Sequence, residues 1–218
     1  VSIGWYVAIV ALTALAVAAV WVSTLFGAPA QVVDVTIAGV ASLFLFSIFP
    51  GSAMGEELGW RGFALPRLQA RRSALAASLV VGAVWGIYHL PLFLLGSPTR
   101  PFALFLPFAL SCVIMSIFYA WMFNGTGGSL LIAVLLHAAT NLSLIIVYAP
   151  LQEYVLPAYW LYVTMLALAA AVAIVRGSPA AEDRGEAGHL RGEHDRRRDR
   201  RGDRADQDVA MLDVRELV

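Results

Sequence analysis

The chain has 218 residues, 60% of them hydrophobic and 14% charged, well short of the roughly 25% charged residues of a soluble domain, which excludes an ordinary cytosolic globule. Its 15 basic residues are all Arg and are balanced by 15 acids, yet residues 182–218 hold 9 of the Arg and 11 of the acids, so the first 181 residues read as membrane protein. The single cysteine, Cys112, excludes a disulfide framework and a Cys-rich metal site, and no nucleic-acid partner is expected.

Crossing about 30 Å of hydrocarbon takes roughly 20 apolar helical residues. Six segments meet or approach that length: about 3–26, 34–55, 73–95, 102–123, 129–149 and 158–176. The breaks between them carry turn chemistry, at Gly27-Ala-Pro29, Gly96-Ser-Pro98, Asn124-Gly-Thr-Gly-Gly128, and Pro150 with Pro157. Pro50-Gly51 falls inside the second span and predicts a kink there. Lone strands cannot satisfy their backbone in lipid, so the expected fold is all-α: a polytopic bundle of about six transmembrane helices with a disordered C-terminal tail.

Residues 1–34 form the first transmembrane helix and its loop, and 151–181 contain the last helix. The first span has no basic segment ahead of it and is too long for a secretory signal, so it is read as an anchor. The chain starts at Val1, which is read either as a non-standard start or as the loss of an N-terminal piece. Arginines set the orientation. Arg61, Arg67, Arg71 and Arg72 follow the second span and Arg176 follows the sixth, against only Arg100 on the other side, so both termini are expected in the cytosol of a bacterial plasma membrane. The tail, 182–218, is too polar to offset its chain entropy; its His189 and His194 are read as solvated, and acids dilute the Arg run at 196–201 as a lipid-binding patch.

A charge near a helix centre costs about 2.5–3.5 kcal/mol, so ionisable residues beside the spans need a reason. Asp34 sits at the edge of span two, and three polar constellations follow. In Glu56-Glu57-Leu-Gly-Trp-Arg61, Glu57 and Arg61 are four apart and share a helix face. Glu56 lies about 100° round the helix from that pair and is available as a general base or metal ligand. In Trp85-Gly-Ile-Tyr-His89-Leu-Pro91, the indole precedes the imidazole by one turn, and Pro91 opens the helix beside it. In His137-Ala-Ala-Thr-Asn141, an imidazole and an amide share a face.

Each constellation alone has a bland reading, as an interfacial charge or an interhelical hydrogen bond. Together, two histidines and a carboxylate make the His₂Glu ligand set of a catalytic Zn²⁺, here Glu56, His89 and His137. The same groups also suit a metal-free route, with Glu56 as base, His89 assisting, and His137 with Asn141 stabilising an oxyanion. Both routes end in attack of an activated water on a carbonyl. One strain is depth: His89 lies roughly 24 Å and His137 roughly 12 Å from the cytosolic start of its span, at 1.5 Å per residue.

The order E-E-x-x-x-R, aromatic-x-x-x-H, H-x-x-x-N on successive membrane helices resembles the CPBP intramembrane protease family, which includes type II CAAX prenyl endopeptidases and the Abi proteins linked to bacteriocin self-immunity. The strings from Gly55 to Gln69 and from Val84 to Phe93 carry the resemblance, which spans about residues 35–150, the expected protease core. It implies catalytic roles for Glu56, Glu57, His89, His137 and Asn141, with Arg61 as a structural partner of the acids. It also implies metalloprotease activity, with a glutamate-activated water as the rival mechanism. Trp85 stands where the family pattern usually has Phe, an aromatic exchange expected to be harmless. CAAX-processing relatives are thought to have more spans than are read here. The expected substrate is a membrane-embedded peptide, a bacteriocin leader or a signalling-protein segment rather than a prenylated protein. Two other classes remain open: a non-catalytic interaction or immunity protein, and an ion-coupled transporter, which commonly shows two related halves that are not visible here. The residues do not set an oligomeric state.

Overall fold

A computed structural model describes residues 1–29, 36–49, 53–96 and 101–175. The helices run in chain order: α1 Ile3–Ser23, α2 Ile37–Ile48, α3 Ala53–Gly59, α4 Leu65–Gln69, α5 Ala74–Tyr88, α6 Leu90–Leu94, α7 Phe105–Gly125, α8 Leu130–Tyr148 and α9 Val155–Val175. No strand occurs among the described residues. The protein is therefore an all-α integral membrane protein. Asp34, the Pro50-Gly51 kink, Arg100, Arg176 and the charged tail lie outside the described residues.

Five described segments are long and apolar enough to cross a membrane: Ile3–Phe26, Ile37–Gln69, Ala74–Leu94, Phe102–Gly125 and Val155–Val175. The sixth expected span corresponds to the shorter apolar stretch Leu130–Ile146. Two boundaries differ from the sequence reading. Pro157 does not precede α9 but sits in its first turn, where a missing backbone N–H breaks no helical bond. Span two does not stop at residue 55, because α3, a π-helical turn at Trp60–Ala64 and α4 continue the same segment to Gln69. A proline inside a helix clashes with the carbonyl four residues back. The wide π turn ends two residues before Pro66, and Arg67 Nη1 donates to Phe63 O, a carbonyl of that turn, at 3.1 Å.

Arg61, counted in the sequence as a cytosolic loop charge, is fully buried inside this segment. Arg67, Arg71 and Arg72 are exposed at and beyond its end.

The spacing of α5 against α7 is set by two glycines a turn apart. A Cβ on Gly82 would come 2.6 Å from Val113 Cα, and one on Gly86 would come 3.1 Å from Ala109 Cα. The two backbones touch, as small residues allow between membrane helices. Below them Leu65, Ala77, Val81 and Ala120 form a small apolar cluster that fixes the register of the 53–69 segment against α5. Eight residues from Leu65 toward the N-terminus is Glu57, and eight beyond Val81 is His89. Because the segments run in opposite directions, both positions arrive at one level, about 12 Å from the cluster.

Helix α8 joins that level from a different start. A Cβ on Gly62 would lie 3.4 Å from Leu130 Cδ1, so α8 begins beside the π turn instead of beside Ser73. His89 is 15 residues beyond the start of α5 and His137 only seven beyond that of α8. The deeper start of α8, about two turns, removes the mismatch in depth.

Candidate active site

Glu57 and Arg61 are both completely buried. Arg61 Nη1 donates to Glu57 Oε1 at 2.8 Å, its Nη2 donates to Ser116 Oγ at 3.3 Å, and its Cζ lies 3.8 Å over the Tyr119 ring. An unpaired ion in this interior would cost several kcal/mol, so each charge requires the other. The same Glu57 Oε1 lies 2.8 Å from His137 Nδ1. A carboxylate only accepts, so the proton of that bond belongs to Nδ1. The pair orients the imidazole as a carboxylate orients a catalytic histidine.

Glu56 faces a second set of partners. Trp85 Nε1 donates to Glu56 Oε2 at 2.6 Å, and Glu56 Oε1 lies 3.9 Å from His89 Nε2. The sequence spacing pairs Glu57 with Arg61, as observed, and gives no sign of the indole bond to Glu56. The His89 ring has Nδ1 2.9 Å from Trp85 O, a carbonyl that can only accept, so Nδ1 carries a proton and Nε2 is the nitrogen turned to Glu56. His89 stands at the break between α5 and α6, one residue before the Leu90-Pro91 start of α6, where Pro91 ends the longer helix. The Glu56 and His89 side chains are 9% and 14% exposed, in contrast to the sealed Glu57–Arg61 pair.

The aromatic rings close the site. Trp85 packs edge-on to His137 with centroids 5.4 Å apart, and Phe108 lies 5.1 Å from the His89 ring. Asn141 is half-buried one turn beyond His137. Glu56, Glu57, Arg61, Trp85, His89 and His137 thus come together from three segments of chain, and Asn141 extends the His137 face.

Three contributors from α7 were not singled out in the sequence: Ser116, Tyr119 and Phe108. The sequence reading takes their span only as a membrane-crossing segment. A hydroxyl and a phenol three residues apart in a lipid-spanning helix were the available signal, since such groups turn toward the bundle interior.

Among the described residues, no group of three or more His, Cys, Asp or Glu side chains is arranged to hold a metal ion. Glu56 and His89 face each other, whereas His137 turns Nδ1 to Glu57.

Residues 38–143 match the family described as type II CAAX prenyl endopeptidase Rce1-like. The chain is also similar to CAAX prenyl protease 2 of Methanococcus maripaludis, at 34% identity over 111 residues. That alignment covers 48% of this chain and 40% of the relative, so the match spans well under half of the relative's own length.

Proposed function

We propose that the chain is an intramembrane endopeptidase of the CAAX/CPBP kind, a reading its match over residues 38–143 supports, and that it cleaves membrane-anchored peptides with a water activated by Glu56. The observation that carries this reading is the pairing of Glu56 Oε1 with His89 Nε2 at 3.9 Å. That is too long for a direct hydrogen bond and suits two groups that share one water.

In the proposed reaction Glu56 takes a proton from the water as its oxygen attacks the scissile carbonyl, and His89 Nε2 accepts the second O–H to aim the attack. The tetrahedral oxyanion is met by donors on α8, the His137 ring and the Asn141 amide. Glu57 fixes the His137 ring and stabilises positive charge on it, which makes Glu57 an orienting acid instead of a second base. Collapse breaks the C–N bond, and the proton held by Glu56 passes to the leaving amine.

The substrate class to try first is a prenylated CAAX peptide, because the matched family and the relative both carry that description. This goes against the sequence-based expectation of a bacteriocin leader or signalling segment, which stands as the second substrate class. The test uses purified full-length protein in vesicles with a farnesylated CAAX peptide and an unmodified transmembrane peptide. Cleavage that disappears in Glu56→Gln supports the reading. Undiminished cleavage in Glu56→Gln removes Glu56 as the base, and biological activity without any cleavage would favour an immunity or interaction role. We further propose that both ends of the chain face the cytosol of the plasma membrane, supported by the exposed Arg67, Arg71 and Arg72 at one end of the 53–69 segment.

A further inference from the structure

Trp85 reaches Glu56, His89 and Arg61 with three different parts of itself. Its indole Nε1 donates to Glu56 Oε2 at 2.6 Å, and its main-chain carbonyl meets His89 Nδ1 at 2.9 Å. The face of its ring lies 5.0 Å from Arg61 Cζ, and its edge packs against Tyr119 with centroids 5.7 Å apart. The residue is 6% exposed. A buried indole N–H needs an acceptor, and in this apolar interior the acceptor is the Glu56 carboxylate. The backbone beneath Trp85 is equally fixed, since the neighbouring Gly86 lies against α7, where a Cβ would come 3.1 Å from Ala109 Cα.

We propose that Trp85 is a positioning residue for Glu56: its indole N–H clamps the carboxylate while its own carbonyl clamps His89, so one residue holds the base and its assisting imidazole face to face. The inference rests on reading Glu56 as the base. A glutamate has three rotatable side-chain bonds, and the bond to Nε1 arrests the last of them, leaving Oε1 turned to His89 Nε2. A charge-assisted bond to a fixed ring holds better than a neutral one. A phenylalanine would fill the same space and remove this one bond to the carboxylate, and small misplacements of a catalytic group cost up to about 100-fold in rate. In this chain the indole therefore supplies a contact that a phenyl ring at the same position cannot make.

Two measurements on full-length protein test this. The chain has six tryptophans, so ¹⁵N-labelled indole N–H spectra in detergent hold six signals, and Trp85→Phe identifies the one from Trp85. Glu56→Gln is expected to move that signal and leave the other five in place; an unmoved signal overturns the clamp. In vesicles, Trp85→Phe is expected to lower kcat by about tenfold or more with KM within about twofold. In a Glu56→Asp background, whose shorter side chain cannot keep the bond, Trp85→Phe should cost little more. Equal losses in both backgrounds, or a raised KM with unchanged kcat, overturn the proposal. Should Trp85→Phe reduce yield, benzothienylalanine at position 85 keeps both rings, removes only the donor, and is held to the same outcomes. If Glu56→Gln abolishes cleavage while Trp85→Phe does not slow it, this inference fails and the assignment of Glu56 stands. Undiminished cleavage by Glu56→Gln fails the assignment itself.

Discussion

His137 Nδ1 lies 2.8 Å from Glu57 Oε1, a bond between residues 80 positions apart that ties α8 to α3 at the same oxygen Arg61 uses. Two groups, the Arg61 guanidinium and the His137 imidazole, thus depend on one carboxylate oxygen. The two adjacent acids therefore take different roles, with Glu57 sealed among its partners and Glu56, one residue earlier, beside the partly exposed His89.

The neighbouring glutamates should separate in mutagenesis. Glu56→Gln is expected to lower cleavage by about 10²- to 10⁴-fold with thermal stability in detergent nearly unchanged. Glu57→Gln is expected to lose both activity and stability. Thermal unfolding measured beside peptide cleavage checks this, and equal destabilisation by both would contradict the separation of roles.

Arg61 is predicted to be structural. Arg61→Leu leaves Glu57 buried without its cation and should destabilise the fold by about 3–5 kcal/mol. Replacing both, with Glu57→Gln and Arg61→Leu together, should recover part of that loss, because no lone ion remains inside. A double variant less stable than Arg61→Leu alone would count against the pairing argument.

The α5–α7 contact gives a paired prediction about glycines. Gly82→Ala places a methyl against the α7 backbone and should cost about 1–3 kcal/mol. At Gly59, a helical position where a Cβ meets nothing within 4 Å, Ala should be neutral or stabilise by up to about 1 kcal/mol. Chemical unfolding of the two variants side by side provides the measurement.

Asn141 is proposed as an oxyanion donor, so Asn141→Ala should lower kcat by roughly 10²- to 10³-fold, as loss of one such donor does elsewhere. Folding should be little affected, because Asn141 is only half-buried. A change confined to KM would instead make it a substrate-binding group.

Metal dependence has its own test. If the water is activated by Glu56 alone, as in the proposed reaction, cleavage is expected to survive prolonged chelation. Loss of cleavage restored by Zn²⁺, with about one ion per chain by elemental analysis, would instead establish the metal-assisted route.

Helical period, apolar length and scarcity of charge were enough to define the membrane class, the approximate span positions and the Glu57–Arg61 pair, because an i,i+4 relation is local to one helix. The three constellations carrying Glu56, His89 and His137 were visible for a related reason: polar groups are costly in lipid, so the few that persist stand out. Residues that meet across helices were not legible. Trp85 and Glu56 come from different segments and meet where the Leu65 cluster packs the 53–69 segment against α5. The depth of His137 depended on where α8 begins, beside Gly62, which apolar length alone does not reveal. Sequence specifies which groups must leave the lipid; packing between helices decides which of them touch.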